Sequence, residues 1–326
     1  MFDLTALRLA ADTVYQSMPP TPQLAWPLLA EQLGCAVWVK HENHTPTGAF
    51  KMRGGMLYVQ GLLAREPLTK GLVTATRGNH GQSLALAAQR NGLKISIVVP
   101  EGNSRGKNAA MRALGATVIE HGKDFDEARS HAAELAHTYH LHLVPAFHPD
   151  LIRGVATYAL ELLEAVADLH TVYVPIGMGS GICGLIQARD LLGLSTEIVG
   201  VVSEHADAYA LSVEQGCVVC TDSANTFADG LACRQPQPDA LAIIAKGAAR
   251  VIRVSDRDIA HAIRLYHEAT HNTAEGAGAA ALAGLIKEQA QQQGRRVAVI
   301  LSGANIDRQL YAAILDEDLN HQPAHA

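Results

Sequence analysis

The sequence predicts an α/β protein built from two open, mostly parallel α/β domains. Three observations carry that expectation. From residue 71 short β-branched runs alternate with longer amphipathic ones; the alternation lapses after about residue 204 and resumes near 250; and glycine-rich turns follow two of the buried runs. Such alternation implies parallel sheets whose crossovers are helices.

Taken in order, GLVTAT, ISIVVP and ATVIEH read as strands, and NHGQSLALAAQRNG, SRGKNAAMRALG and DFDEARSHAAELAHTY as the helices between and after them. Leu84, Leu86 and Ala87 recur at helical spacing, whereas ISIVVP is a short buried β-branched run. A second series comprises the helix RGVATYALELLEAV, the strand TVYVPIG, the helix GSGICGLIQARDLLG and the strand EIVGVVSE. It continues with RVIRVS, DRDIAHAIRLYHEATH, EGAGAAALAGLIKEQA and RVAVILSG. AVWVKHE (36–42) is a further strand that either sheet could take. Residues 205–248, rich in small, polar and proline residues, read as mostly loop, and the polar tail NHQPAHA as frayed.

A chain of 326 residues suits about two domains. With 48% hydrophobic and 18% charged residues it has the composition of a folded α/β protein rather than a disordered one. A net charge of -6 and the lack of a basic run argue against a nucleic-acid surface, leaving a small-molecule partner. The first twenty residues lack the apolar core of a signal peptide, and no stretch is long and uncharged enough for a membrane span, so a cytoplasmic location is expected. Five scattered cysteines suit reduced structural thiols.

The strongest local signal is VYVPIGMGSGICGLIQARD, a buried strand running through a glycine-rich turn into a helix. Bare N–H groups at that helix start, with the positive end of its dipole behind them, form a phosphate cradle. Residues 179–184 also satisfy GxGxxG, and Glu204 lies where a dinucleotide fingerprint wants an acid, so an NAD-dependent oxidoreductase is one alternative. VTATRGNHGQS repeats the device with Thr76, Arg77, Gly78, Asn79 and His80, a turn suited to a carboxylate or polar ring substituent, though an ordinary capped helix fits it equally.

In GAFKMRGG, Lys51 stands between Phe50 and Met52 with Gly48, Gly54 and Gly55 around it. A lysine in such a partly apolar setting can serve as nucleophile or base; the bland alternative is a solvated side chain. HEATH (267–271) with Glu288 fits a zinc-hydrolase pattern, yet solvated histidines on a helix face explain it better in this α/β context. Cys217 and Cys220 form a lone CxxC, read as structural.

TGAFKMRGG, TRGNHGQS, GMGSGICG and LSGAN occur in this order across most of the chain. Together they resemble the fold type II (tryptophan synthase β-like) pyridoxal-phosphate enzymes, in the serine/threonine dehydratase and serine racemase branch. The resemblance implies a large domain of residues 1–47 and 148–326, a small mobile domain of 48–147, an active site in the cleft between them, and a homodimer. It makes Lys51 the Schiff-base lysine, with Phe50 packing near the cofactor ring. It has Asn79 bonding the pyridoxal hydroxyl, and Thr76, Arg77, Gly78, Asn79 and His80 lining the substrate site. Gly177, Met178, Gly179, Ser180 and Gly181 would hold the phosphate, Ser302 would face the pyridine nitrogen, and Glu275 would lie nearby without an assigned step.

The implied reaction is dehydration of a 3-hydroxy amino acid. The lysine amine, displaced from the cofactor by substrate, takes the Cα proton; the β-hydroxyl then leaves, and hydrolysis gives a 2-oxo acid and ammonia. Two departures bear on the outcome. Ala49 replaces a usual serine before Phe-Lys, and Arg77 stands where racemases place a serine. A permanently protonated arginine is a poor proton donor to Cα, which disfavours racemisation, and it could instead pair with a 3-hydroxyaspartate carboxylate or stack on phenylserine. Ala208 and Ala210 stand where a cation site would need ligands, so no metal is expected, and the short extension beyond LSGAN predicts no appended regulatory domain.

Overall fold

The computed structural model describes residues 2–317; the NHQPAHA tail lies outside them. Among these residues ten strands follow in chain order: β1 Gln23–Ala25, β2 Ala36–His41, β3 Gly71–Ala75, β4 Lys94–Val99, β5 Thr117–Glu120, β6 His142–Leu143, β7 Thr171–Pro175, β8 Glu197–Ser203, β9 Arg250–Val254 and β10 Arg296–Leu301. They form two sheets, one of six strands ordered β1-β2-β10-β7-β8-β9 and one of four ordered β5-β4-β3-β6. All pairings are parallel except that of the edge strand β1 with β2. No helix among the described residues is long and apolar enough to cross a membrane.

The described residues divide into two compact units, one running up to Phe50 and resuming over Val155–Ala304, the other comprising Lys51–Gly154 and residues 305–317. The division therefore falls at 50/51 and 154/155, where the sequence reading set 47/48 and 147/148. It also groups the segment after the last strand with the second unit.

In the first unit, AVWVKHE is the second strand of the six-stranded sheet, its register running from Ala36 beside Arg296 to His41 beside Leu301. Val37, Val39, Val172, Tyr173, Ile198, Val199, Val297 and Val299 are fully buried, as expected of strands covered on both faces. The stretch 205–248 departs from the loop reading. It holds helices Ala208–Gln215 and Pro238–Gly247, the second opened by a proline at its first turn. Both were obscured by their shortness and by the small residues around them.

The chain order within each sheet marks where a ligand can sit. From β7 the chain steps outward to β8 and β9, then returns so that β10 lies on the other side of β7. In the second unit it steps from β3 to β4 and β5, then returns to place β6 on the far side of β3. Such reversals leave a crevice at the carboxyl ends of the flanking strands, the usual ligand position in open α/β sheets. The glycine-rich turn follows β7 and Ser302 follows β10; Thr76–His80 follow β3.

Candidate functional site

In the first unit, the turn after β7 enters helix Ser180–Leu191 through Gly179, whose φ of 94° lies in the left-handed region. A side chain there would also collide, since a Cβ would come within 2.8 Å of Ala240 Cβ. Gly177 faces the Gly230 carbonyl with no room for a Cβ. The helix start has no side-chain cap, so its amides and dipole are presented to whatever lies beyond the turn. The glycines are thus required by conformation and close approach, and the arrangement has the makings of an anion site.

Two tyrosines missed by the sequence reading brace this turn. Tyr158 Oη donates to the Gly181 carbonyl at 3.1 Å and meets the Phe50 ring edge-on, with centroids 6.1 Å apart. Tyr209 Oη donates to the Met178 carbonyl at 3.1 Å and accepts from the Gln237 amide. Tyr158 is hidden in an apolar helical stripe, and Tyr209 lies in the stretch read as loop. Only their burial sets them apart, and burial is not written in the local sequence. Cys183, in the first turns of the same helix, donates to the Ala240 carbonyl, and burial pushes its thiol up to about 12, which suits the structural role expected for it.

Residues 48–50 meet the end of β10. Thr45 Oγ1 binds both the N–H and the carbonyl of Ala49, Gly48 takes φ 68°, and Ala49 bridges Gly303 in antiparallel sense. The Phe50 amide donates to the Ser302 carbonyl and the Ala304 amide to the Gly48 carbonyl. Ser302 is buried at 3% exposure. Glu275 is buried beside it, its amide donating to the Gly303 carbonyl and its Oε1 filling the space a Cβ on Gly303 would need.

In the second unit, Lys51 opens helix Lys51–Arg65 and is half-buried. Its carbonyl accepts from Ser83 Oγ at 2.6 Å, tying it to helix Asn79–Arg90. The paired glycines behind Lys51 serve packing: a Cβ on Gly55 would strike Ser83, and one on Gly54 would come within 2.7 Å of the Leu151 carbonyl. Helix Asn79–Arg90 begins without a side-chain cap, while Thr76 Oγ1 accepts from the Gly78 amide. The capped-helix alternative for Asn79 therefore does not hold; its side chain serves another partner, since Asn79 Oδ1 accepts from Asn305 Nδ2 at 2.8 Å.

His80 is held at about pKa 3 by burial, by the nearby positive charge of Lys51 and against the opposing effect of a hydrogen bond to the Pro145 carbonyl. Its Nε2 is buried and has no hydrogen-bond partner among the described residues. The bond to a carbonyl requires a ring N–H, so Nδ1 carries the proton and Nε2 is the acceptor. Arg77 is half-buried, and among the described residues its guanidinium takes no carboxylate partner.

The two distracting motifs resolve locally. Glu288, the would-be third zinc ligand, accepts from Arg250 at 2.6 Å and from Tyr173 at 2.6 Å instead. Cys217 and Cys220 are exposed free thiols just beyond the left-handed Gly216 that ends helix Ala208–Gln215.

A helix start cradled by glycines after β7 in one unit, and in the other a lysine close to a histidine held neutral after β3, are the kinds of feature that open parallel α/β enzymes place at the ends of their strands. The chain belongs to the family of pyridoxal-phosphate dependent enzymes, whose model matches residues 14–303. It is 32% identical over 307 residues to the biosynthetic L-threonine dehydratase of Haemophilus influenzae, covering 93% of this chain and 60% of that protein. The chain thus spans little more than half the length of the biosynthetic dehydratases it matches. It is 31% identical to the L-threo-3-hydroxyaspartate ammonia-lyase of Saccharomyces cerevisiae, with 94% of each chain covered. Among solved structures, maize serine racemase superposes with a TM-score of 0.89 at 26% identity, covering 98% of both chains. The expected fold class holds, and the family's cofactor is pyridoxal phosphate rather than NAD.

Proposed function

We propose that the protein eliminates water from a 3-hydroxy amino acid to give a 2-oxo acid and ammonia, with Lys51 as both cofactor anchor and base. The observation that carries this reading is that Lys51, at the start of its helix, lies near enough to His80 for its charge to help keep that histidine neutral, and His80 follows β3, where a ligand crevice falls in such a sheet. Two of its relatives, named above as a threonine dehydratase and a 3-hydroxyaspartate ammonia-lyase, support the same reaction class.

When bound, pyridoxal 5'-phosphate supplies the electron sink that makes the Cα proton of an amino acid removable. Gly177, Met178, Gly179, Ser180 and Gly181 hold its phosphate through backbone amides, braced by Tyr158 and Tyr209. Phe50 lines the ring, and Ser302 meets the pyridine nitrogen; a neutral hydroxyl there leaves that nitrogen less fully protonated than a carboxylate would, which favours eliminations in which a departing group carries charge away. Asn79 donates to the ring hydroxyl. The amides at the start of helix Asn79–Arg90, with Thr76 and Gly78, orient the substrate carboxylate. His80 stays uncharged, so it adds no cation beside Lys51 and leaves that amine able to take the Cα proton.

Arg77 sets the substrate's side chain. A half-buried guanidinium with no carboxylate partner among the described residues favours an anionic β-substituent, as in 3-hydroxyaspartate, and stacks on an aryl one, as in phenylserine. The same residue argues against racemisation, which needs a group able to give a proton to the second face of Cα. We propose a homodimer acting in the cytoplasm on free amino acids. The test is release of 2-oxo acid and ammonia from threonine, serine, 3-hydroxyaspartate and phenylserine. Turnover of at least one supports the reading; inversion at Cα without 2-oxo acid, or no reaction with any, refutes it.

A further inference from the structure

We infer that Asn305 is a positioning residue that fixes which end of the Asn79 amide meets the cofactor, an inference that rests on the assignment of Asn79 to the ring hydroxyl. A carboxamide has a donor end and an acceptor end of nearly the same shape, and only the donor end can hold an oxygen that carries negative charge. Left to itself, Asn79 could present either. Asn305 Nδ2 donates to Asn79 Oδ1 at 2.8 Å, which occupies the acceptor and turns Nδ2 of Asn79 the other way.

The segment bearing Asn305 is itself anchored. Two residues on, Asp307 Oδ1 accepts from Ser104 Oγ at 2.8 Å and from the Gly106 amide at 3.2 Å, at the start of helix Arg105–Ala113. Ser104 is the cap of that helix, its hydroxyl also accepting from the Lys107 amide. Asp307 thus holds its own short stretch of chain against a rigid element, and Asn305 meets Asn79 from a fixed direction. The asparagine closing LSGAN thereby acquires a role distinct from that of Ser302 in the same segment.

The test uses two variants of the full chain loaded with pyridoxal phosphate. Asn305→Asp offers only acceptor atoms, so Asn79 must donate Nδ2 to it and turn Oδ1 toward the ring oxygen. Asn305→Ala removes the constraint without imposing the wrong orientation, and it serves alone if the aspartate variant does not fold. The readouts are the dissociation constant of the cofactor and the pH dependence of its bound absorbance, which reports the ionisation of the ring. The expected result is about tenfold weaker binding in Asn305→Asp, a smaller loss in Asn305→Ala, and a displaced absorbance titration in both. Wild-type titration in both variants overturns the inference, including the case in which affinity falls, because a merely structural role would do that. Asn79→Ala in the same assays separates the two levels: if it leaves the absorbance titration where the wild type has it, the assignment of Asn79 to the ring hydroxyl fails; if it displaces the titration and the Asn305 variants do not, this inference alone fails.

Discussion

The hydroxyl of Tyr158 donates to the carbonyl of Gly181 at 3.1 Å, joining a long buried helix to the turn that follows β7. Tyr158 is 1% exposed, so its hydroxyl is no source of solvent contacts. Tyr158→Phe leaves a buried carbonyl short of a donor and should lower the unfolding free energy by about 1–3 kcal/mol. Urea denaturation of the cofactor-free protein measures this, and the variant's cofactor affinity should fall with it, because the turn loses its brace.

A second prediction concerns the buried pair Lys40–Glu161. Their charged atoms lie 2.5 Å apart, with side chains 0% and 5% exposed, and Lys40 also donates to the Thr21 carbonyl and to Gln23. Lys40→Met strands a buried carboxylate and should cost about 3–5 kcal/mol, whereas Lys40→Met with Glu161→Leu should cost clearly less than the single change. Chemical denaturation of the two variants decides it.

Acid sensitivity follows from two histidines. Burial, with the charge of His44, holds His41 down at about 4, and burial with Lys51 holds His80 at about 3. Both are depressed histidines, so the unfolded chain binds protons that the folded chain refuses. Their contribution to stability is intact above about pH 6.5 and declines as pH falls from there toward 4 and 3. The urea midpoint should therefore drop between pH 7 and 5, a window above most carboxylate titrations, and His41→Asn or His80→Asn should each flatten the slope.

Substrate choice tests Arg77. Arg77→Ala should lower kcat/KM for 3-hydroxyaspartate about tenfold or more relative to threonine, with Arg77→Lys intermediate, since lysine keeps the charge but loses the planar fork. Steady-state assays of 2-oxo acid release read the ratio. Unchanged ratios across the panel would remove Arg77 from substrate recognition.

Most of the architecture was legible because parallel strands buried on both faces are written as near-continuous apolar runs rich in valine and isoleucine, and ISIVVP, VYVP and RVAVIL are such runs. The glycine-rich turn was legible for a related reason, since Gly177 and Gly179 answer to backbone constraints that few other residues meet. What stayed hidden depends on distant packing. Helices Ala208–Gln215 and Pro238–Gly247 are short enough for their small residues to read as loop, and Tyr158 looks like any apolar position of its helix. The contact of Asn305 with Asn79 spans more than two hundred positions, so no local pattern could announce it.

The central claim is that Lys51 carries the cofactor, and borohydride reduction followed by peptide mapping tests it most directly. Reduction of an imine fixes the cofactor to whichever amine holds it. The account predicts a pyridoxyl-phosphate adduct on the peptide containing Lys51, and none there or elsewhere in Lys51→Ala. An adduct on another lysine of the wild-type protein, or retention of covalent label in Lys51→Ala, would contradict it.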